Sequence, residues 1–547
     1  MSDTRKLLRV DALTVRFGQT VVVDDVSLAL EAGECLAIVG ESGSGKTLTA
    51  RALLGLLPHG ATRSAELLEV DGIDAREFAE ADWRRVRGAG VGLVSQDALV
   101  SLDPLRRVGR EIAEPLEIHG ESGTGDRMPR AAIAARVTEL LGRVAVPEPL
   151  ERSRQYPHQL SGGLRQRALI ASALAAAPGV LIADEPTTAL DVTVQAQILA
   201  LLASLKSEGL GIVLISHDLA VVSEIADRIA VMRSGRIVEE GRTLDVLTAP
   251  QHEYTKSLLA AAPSFTEPVE EESTVTVPSP SPGGEGSRVV STPPILRATG
   301  LGRDFRREDG SARTAVDDVS FEVLAGDSLG IVGESGSGKT TLARLLLGFD
   351  EPGRGVVQLD GQPWSGVPER RRRSRRGDIQ FISQDPLGSF DPRFTVERIV
   401  GEALPGRRGA ERAPRVRQLL DSVGLVSTLD GRRPHELSGG QRQRVAIARA
   451  LATNPRVLVC DEPVSALDVS IQATILELLA RLRADLGLTL VFVSHDLAVV
   501  ATLCETVLVM KDGRVVERGR TSDVFGKPVH PFTRALVAAV PRMPSVF

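Results

Sequence analysis

Eight residues, Gly40, Glu41, Ser42, Gly43, Ser44, Gly45, Lys46 and Thr47, recur letter for letter as Gly333, Glu334, Ser335, Gly336, Ser337, Gly338, Lys339 and Thr340. Gly, four residues, Gly, Lys and Ser/Thr is a phosphate-cradling pattern, because the glycines let backbone N–H groups turn inward around the β- and γ-phosphates of a nucleotide. Lys46 and Lys339 would reach those phosphates, and the hydroxyls of Thr47 and Thr340 would ligate Mg²⁺. Asp184 and Asp461 close the apolar runs VLIAD and VLVCD, a position suited to holding Mg²⁺ near the loop threonine, directly or through water. The next carboxylates, Glu185 and Glu462, would orient or deprotonate an attacking water. His217 and His495 end a further apolar run in each half and are read as γ-phosphate contacts. Gln96 and Gln384, in SQDA and SQDP, would touch Mg²⁺ or water and report the nucleotide state to an adjacent helical segment. A lone Asp-Glu pair or strand-end His is often structural; recurrence beside a phosphate loop in both halves favours chemistry.

A second anion-binding signal is LSGG. Ser161, Gly162 and Gly163, and again Ser438, Gly439 and Gly440, stand at the start of a predicted helix with bare backbone N–H groups. Each half thus carries two phosphate-binding surfaces but needs one nucleotide. Head-to-tail pairing of the two halves, with each ATP between the loop of one and the LSGG of the other, resolves the excess.

These residues need elements to hold them. CLAIVG at Cys35–Gly40 and LGIVG at Leu329–Gly333 read as buried parallel strands feeding helices. DEPTTALD and DEPVSALD, and ISHDLAVV and VSHDLAVV, keep nearly constant spacing between the halves, so the chain is a tandem duplication. Strands alternating with helices imply an α/β fold with a mostly parallel sheet and functional groups at strand C-termini. Ile133, Val137, Leu140, Leu141 and Val144, like Val416, Leu419, Leu420 and Val423, keep helical spacing. The expected organisation is a first ATPase domain at 1–263, a linker at 264–294 and a second ATPase domain at 295–547. The linker is rich in Pro, Ser, Gly and acid, a composition that reads as an extended, solvated tether.

With 42% hydrophobic and 25% charged residues, the 547-residue chain can bury proper cores. A net charge of −6 argues against a general nucleic-acid binder. Three cysteines without paired spacing support neither a disulfide framework nor a zinc or iron-sulfur site. The N-terminal residues lack a signal-peptide core, and no segment spans a bilayer, Ala168–Ala183 being too short and broken by Pro178 and Gly179. The arginine-rich stretch Glu369–Asp378 is expected to be a solvated helix face rather than a lipid or RNA contact.

Taken in order, these motifs resemble those of the ATP-binding-cassette family. The resemblance implies two tandem P-loop NTPase domains, each with a RecA-like core, a helical subdomain and a small antiparallel β subdomain, which close on ATP and reopen after hydrolysis to drive a permease. It places Phe17 and Phe305 where that family stacks adenine. PQHEYTKSLLAAAP at Pro250–Pro263 and PVHPFTRALVAAVP at Pro528–Pro541 are similar to the C-terminal motif of the oligopeptide, dipeptide and nickel importer subfamily. This implies an energy-coupling ATPase on the cytoplasmic face of the cell membrane, serving two integral-membrane permease subunits and, through them, an extracytoplasmic solute-binding protein. The expected cargo is di- or oligopeptides or related small solutes. The subfamily's cysteine cluster for an iron-sulfur centre is absent and is not transferred. Ala98 stands where Pro is usual, which implies coupling surfaces of different stiffness. The alternative is a soluble twin-cassette translation or resistance factor.

Overall fold

The computed structural model describes residues 6–96, 98–119, 128–188, 190–262, 293–306, 312–404, 411–465 and 467–543. Nearly all of the expected linker, through Thr292, lies outside them. The described residues fall into two compact units, one built on the N-terminal half through Ala262 and one on the C-terminal half through Val540.

In the first unit, β1 (Lys6–Phe17), β2 (Thr20–Glu31), β4 (Ala61–Ser64), β5 (Leu67–Val70) and β6 (Ile73–Asp74) form an antiparallel sheet. Strands β3 (Cys35–Val39), β7 (Val91–Val94), β8 (Val180–Asp184), β9 (Gly211–Ser216), β10 (Arg228–Arg233) and β11 (Arg236–Arg242) form a second sheet in the order β11-β10-β3-β9-β8-β7. All of its pairings are parallel except β10 with β11. Every residue of β3, β8 and β9 is buried. That is why they read as unbroken apolar runs: a parallel strand covered on both faces has no wet side.

The second unit repeats the plan. Strands β12 (Leu296–Arg306), β13 (Ala312–Val323), β15 (Arg354–Leu359) and β16 (Gln362–Pro363) make the antiparallel sheet, whereas β14 (Ser328–Gly333), β17 (Ile379–Ile382), β18 (Val457–Asp461), β19 (Thr489–Val493), β20 (Thr506–Lys511) and β21 (Arg514–Arg520) follow the order β17-β18-β19-β14-β20-β21. This is the same sheet order as in the first unit.

The periodic segments fold as helices Arg130–Arg143 and Arg412–Ser422, burying Ile133, Val137, Leu140 and Leu141 in one and Val416, Leu419 and Leu420 in the other. Val144 and Val423 lie one residue past the helix ends. The helices after the phosphate loops end sooner than the apolar runs suggest, at Leu53 and Leu347. Gly348 stops the second by adopting φ 64, the left-handed cap that glycine takes without a Cβ penalty.

The arginine run departs from expectation. Glu369–Arg372 is a single helical turn followed by the 3-10 turn Arg373–Arg375. Arg372 is buried, 2.9 Å from Glu351, and Arg375 and Arg376 donate to the carbonyls of Leu359 and Leu347. Arg372, Arg375 and Arg376, with Arg372 also donating to the Trp364 carbonyl at 3.4 Å, therefore cap backbone carbonyls, and only part of the run is a solvated face. Among the described residues no helix is long and apolar enough to cross a membrane.

Candidate functional site

Each phosphate loop joins a buried strand to a helix whose first residue is the loop lysine, Lys46 or Lys339. Close packing dictates glycine at a corner of each loop. A Cβ on Gly40 would meet the Met232 carbonyl oxygen at 2.1 Å, and one on Gly338 would meet that of Ala315 at the same distance. Lys46 is buried and donates Nζ to the carbonyls of Gly40 (2.7 Å) and Glu41 (2.8 Å). Lys339 does the same to Gly333 (2.7 Å) and Glu334 (2.9 Å). Burial lowers the Lys46 pKa, opposed first by Glu185. A buried ammonium leaning on loop carbonyls is poised to exchange them for phosphate oxygens.

Thr47 Oγ1 donates to Asp184 Oδ1 at 3.1 Å, and Thr340 to Asp461 at 3.3 Å. Burial raises the pKa of both aspartates. A hydroxyl and a carboxylate at the end of a phosphate loop fit Mg²⁺, which takes few protein oxygens and is otherwise ligated by phosphates and water.

Glu185 and Glu462 follow β8 and β18 with φ 49 and 47, a left-handed conformation rare for a residue bearing a Cβ. Their N–H groups still close the sheet ladder to Ile215 and Val493, so the turn falls on the residue after the ladder and swings the carboxylate across the strand ends. There His217 Nδ1 stands 3.1 Å from Glu185 Oε1, and Gln96 Nε2 donates to Oε2 at 2.7 Å. The second unit repeats this with His495 at 3.1 Å and Gln384 at 3.0 Å from Glu462. Burial by itself would raise the pKa of each glutamate, but the hydrogen bond and charge of the neighbouring histidine outweigh it and leave it lowered. Burial likewise works against the histidines, whose pKa is nonetheless raised by the same glutamates. Each cluster thus favours an ionised carboxylate beside a protonated imidazole.

The histidines lie just past their strands, which end at Ser216 and Val493, and the glutamines two residues past β7 and β17. Gln96 and Gln384 join the glutamate rather than the Thr-Asp pair. Sequence reasoning missed Thr188, whose hydroxyl donates to Glu185 Oε2 at 3.0 Å; its place three residues after the glutamate was the only signal. After Gln96 the chain makes the helical turn Ala98–Ser101, whereas Pro386 is followed by the 3-10 turn Leu387–Ser389. The Ala-for-Pro difference is thus accompanied by a different local backbone.

Ser161 and Ser438 are the N-caps of helices Gly162–Ala173 and Gly439–Leu451. Gln441 returns its side-chain oxygen to the Ser438 N–H at 2.9 Å, closing a capping box that Leu164 has no acceptor to form. A Cβ on Gly163 would meet Val194 at 2.5 Å, and one on Gly440 would meet Ile471 at 2.5 Å. Phe17 is half-buried at the end of β1. Phe305 is 41% exposed, with the Arg303 guanidinium 5.1 Å from its ring, and its cross-strand partner Arg313 donates to the Gly336 carbonyl at 3.1 Å. This sets the Phe305 ring one strand from its phosphate loop.

Residues 23–188 and 316–465 match the family described as ABC transporter. The chain belongs to the ABC transporter family. It is an ABC ATPase, and ATP is its nucleotide. Residues 238–286 and 516–545 also match the C-terminal region of oligopeptide/dipeptide transporters. Among curated relatives, the glutathione import ATP-binding protein GsiA of Salmonella choleraesuis (strain SC-B67) is 43% identical over 98% of this chain and 90% of its own length. That of Escherichia coli O6:H1 is 42% identical over the same shares. Among solved structures, a dimeric ATP-binding cassette in a post-hydrolysis state with ADP and Pi aligns with 42% of this chain and 99% of its own, at 30% identity and a TM-score of 0.39.

Proposed function

We propose that this chain is the energy-coupling subunit of an ABC importer for short peptides and related small solutes. The observation that carries this reading is the match of both halves to the oligopeptide/dipeptide transporter C-terminal region. Relatives named for glutathione import, aligned over 98% of the chain, support the same cargo class, glutathione being itself a short peptide. Two permease subunits, with a solute-binding protein outside the membrane, would be its partners, and the chain would sit on the cytoplasmic face. The test is uptake of labelled glutathione and dipeptides by cells carrying the chain or its Glu185→Gln/Glu462→Gln form. ATP-dependent uptake lost in the double variant supports the proposal; uptake unaffected by it contradicts it.

At each site the chain's residues divide the work. Lys46 would shift from its loop carbonyls to the β- and γ-phosphates, and the loop N–H groups would surround them. Thr47, Asp184 and Gln96, with Thr340, Asp461 and Gln384 in the other half, would hold Mg²⁺, which when bound neutralises phosphate charge and polarises the γ-phosphoryl group. Glu185 would accept a proton from the attacking water on one carboxylate oxygen while His217 and Gln96 fix its orientation. His217, whose pKa Glu185 raises, would also face the γ-phosphate. Phe17 and Phe305 would stack adenine. Pairing of the halves would bring Ser161, Gly162 and Gly163, and Ser438, Gly439 and Gly440, to the nucleotide held by the opposite loop.

A further inference from the structure

The C-terminal motif that marks the chain's subfamily reaches the phosphate loop in one half and stops short of it in the other. In the first half, Glu239 of β11 accepts the N–H groups of Gln251 (2.7 Å) and His252 (3.1 Å). His252 then caps helix Glu253–Ala261, its Nδ1 accepting the Tyr254 N–H at 3.1 Å. These bonds fix the first turn with Tyr254 buried, the Arg233 guanidinium 4.7 Å from the ring centroid. The Tyr254 hydroxyl accepts the backbone N–H of Glu41 at 3.0 Å. Glu41 is the second residue of the phosphate loop, and its carbonyl already accepts from Lys46. The start of the loop is therefore held on both sides of one residue.

The second half repeats every part of this frame except the oxygen. Glu517 accepts the N–H groups of Val529 (2.8 Å) and His530 (3.0 Å), His530 Nδ1 accepts the N–H of Phe532 at 3.2 Å, and Lys511 lies 4.8 Å from the Phe532 ring. Phe532 is buried like Tyr254, and Lys339 holds the Glu334 carbonyl as Lys46 holds that of Glu41. Phenylalanine, however, has no hydroxyl to offer the Glu334 N–H.

We propose that Tyr254 is a positioning residue for nucleotide binding in the first half, and that phenylalanine at 532 leaves the second loop less restrained, so the halves bind nucleotide unequally. The inference rests on reading Gly40–Thr47 as the nucleotide loop. A loop held in its binding shape beforehand loses less conformational entropy when it closes on phosphates. One neutral hydrogen bond of this kind corresponds to roughly 3- to 10-fold in affinity. The same bond gives helix Glu253–Ala261 a direct mechanical link to the nucleotide.

The experiment compares the full chain with Tyr254→Phe and Phe532→Tyr by equilibrium titration with a fluorescent ATP analogue in the cold, alongside steady-state kinetics and thermal melting. Phenylalanine is already accommodated in this frame at position 532, so Tyr254→Phe should fold. The proposal predicts two binding steps in the parent chain. Tyr254→Phe weakens the tighter step about 3- to 10-fold and raises KM while leaving kcat and the melting temperature near the parent values. Phe532→Tyr tightens the weaker step by a similar factor. Unchanged binding in Tyr254→Phe, or equal weakening of both steps together with a fall in melting temperature, would overturn the positioning role. A Phe532→Tyr chain that binds as the parent does would overturn the claim that the missing hydroxyl makes the halves unequal. A parent chain that binds no nucleotide would overturn the loop assignment itself, and this proposal with it.

Discussion

Glu185 and Glu462 are where the account is most exposed to single substitutions. Each carboxylate is held between a histidine and a glutamine, so the amide variants Glu185→Gln and Glu462→Gln keep shape and lose basicity. With the two sites interdependent, each should lower ATP turnover about 100-fold; near-normal phosphate release in a single variant would contradict the proton-accepting role of that glutamate. The His217–Glu185 pair also predicts a pH signature. Because the His217 pKa is raised above its ordinary 6.5, its stabilising contribution is fully present below about pH 6.5 and is lost as pH rises through the higher folded value. The Glu185 pKa is lowered from 4.5, so its part is present above that value and lost only in stronger acid. The melting-temperature gap between the parent chain and His217→Gln should therefore shrink from pH 6 towards pH 9; a gap that widens would refute the pairing. Residue types and spacing were enough to name these groups, because strand, turn and acid follow one another directly in the chain. The left-handed backbone of both glutamates was not legible, since nothing in an Asp-Glu pair announces φ, and neither was the bond from Tyr254 to Glu41, which joins segments far apart in the chain.

Helix ends and helix contacts set the LSGG serines, Ser161 and Ser438. Gly163 packs against Val194 so closely that an added Cβ must displace a branched side chain with one favoured rotamer. Gly163→Ala should destabilise the first unit by about 1–3 kcal/mol, seen as an earlier melting transition. Among the described residues a Cβ on Gly162 would meet Leu190 first, at an ordinary contact distance of 3.7 Å, so Gly162→Ala should leave melting unchanged or improved while adding a methyl group to the proposed phosphate surface. Equal melting for the two variants would remove the packing argument. At this scale periodicity located helices Arg130–Arg143 and Arg412–Ser422, because one apolar face repeats every turn. Composition misjudged Glu369–Asp378, where arginines spend their donors on carbonyls that strand and helix ends leave over; a charge count cannot tell a solvated guanidinium from a capping one.

Duplication is the organising fact of the whole molecule: two sheets of identical order, each with its own phosphate loop, glutamate cluster and LSGG-capped helix. Two such units on one chain hold a one-to-one ratio and a high mutual concentration. A protease site placed at residue 280 tests this. Intact chains should keep their specific ATPase activity on dilution, whereas cleaved chains should lose it progressively in the micromolar range and below; dilution-independent activity after cleavage would show that the halves work alone. The repeat, the fold class and the family were all legible in the sequence because the motifs lie in register. The inequality between Tyr254 and Phe532 was not, because a one-oxygen difference acquires meaning only when its partner is known. Whether this ATPase powers import across a membrane is decided by purifying the tagged chain from gently solubilised membranes of its own host and identifying what accompanies it by mass spectrometry. Two multi-span permeases, with a solute-binding protein bound to them, should accompany the chain; recovery only from the soluble fraction together with ribosomes would rule out membrane coupling.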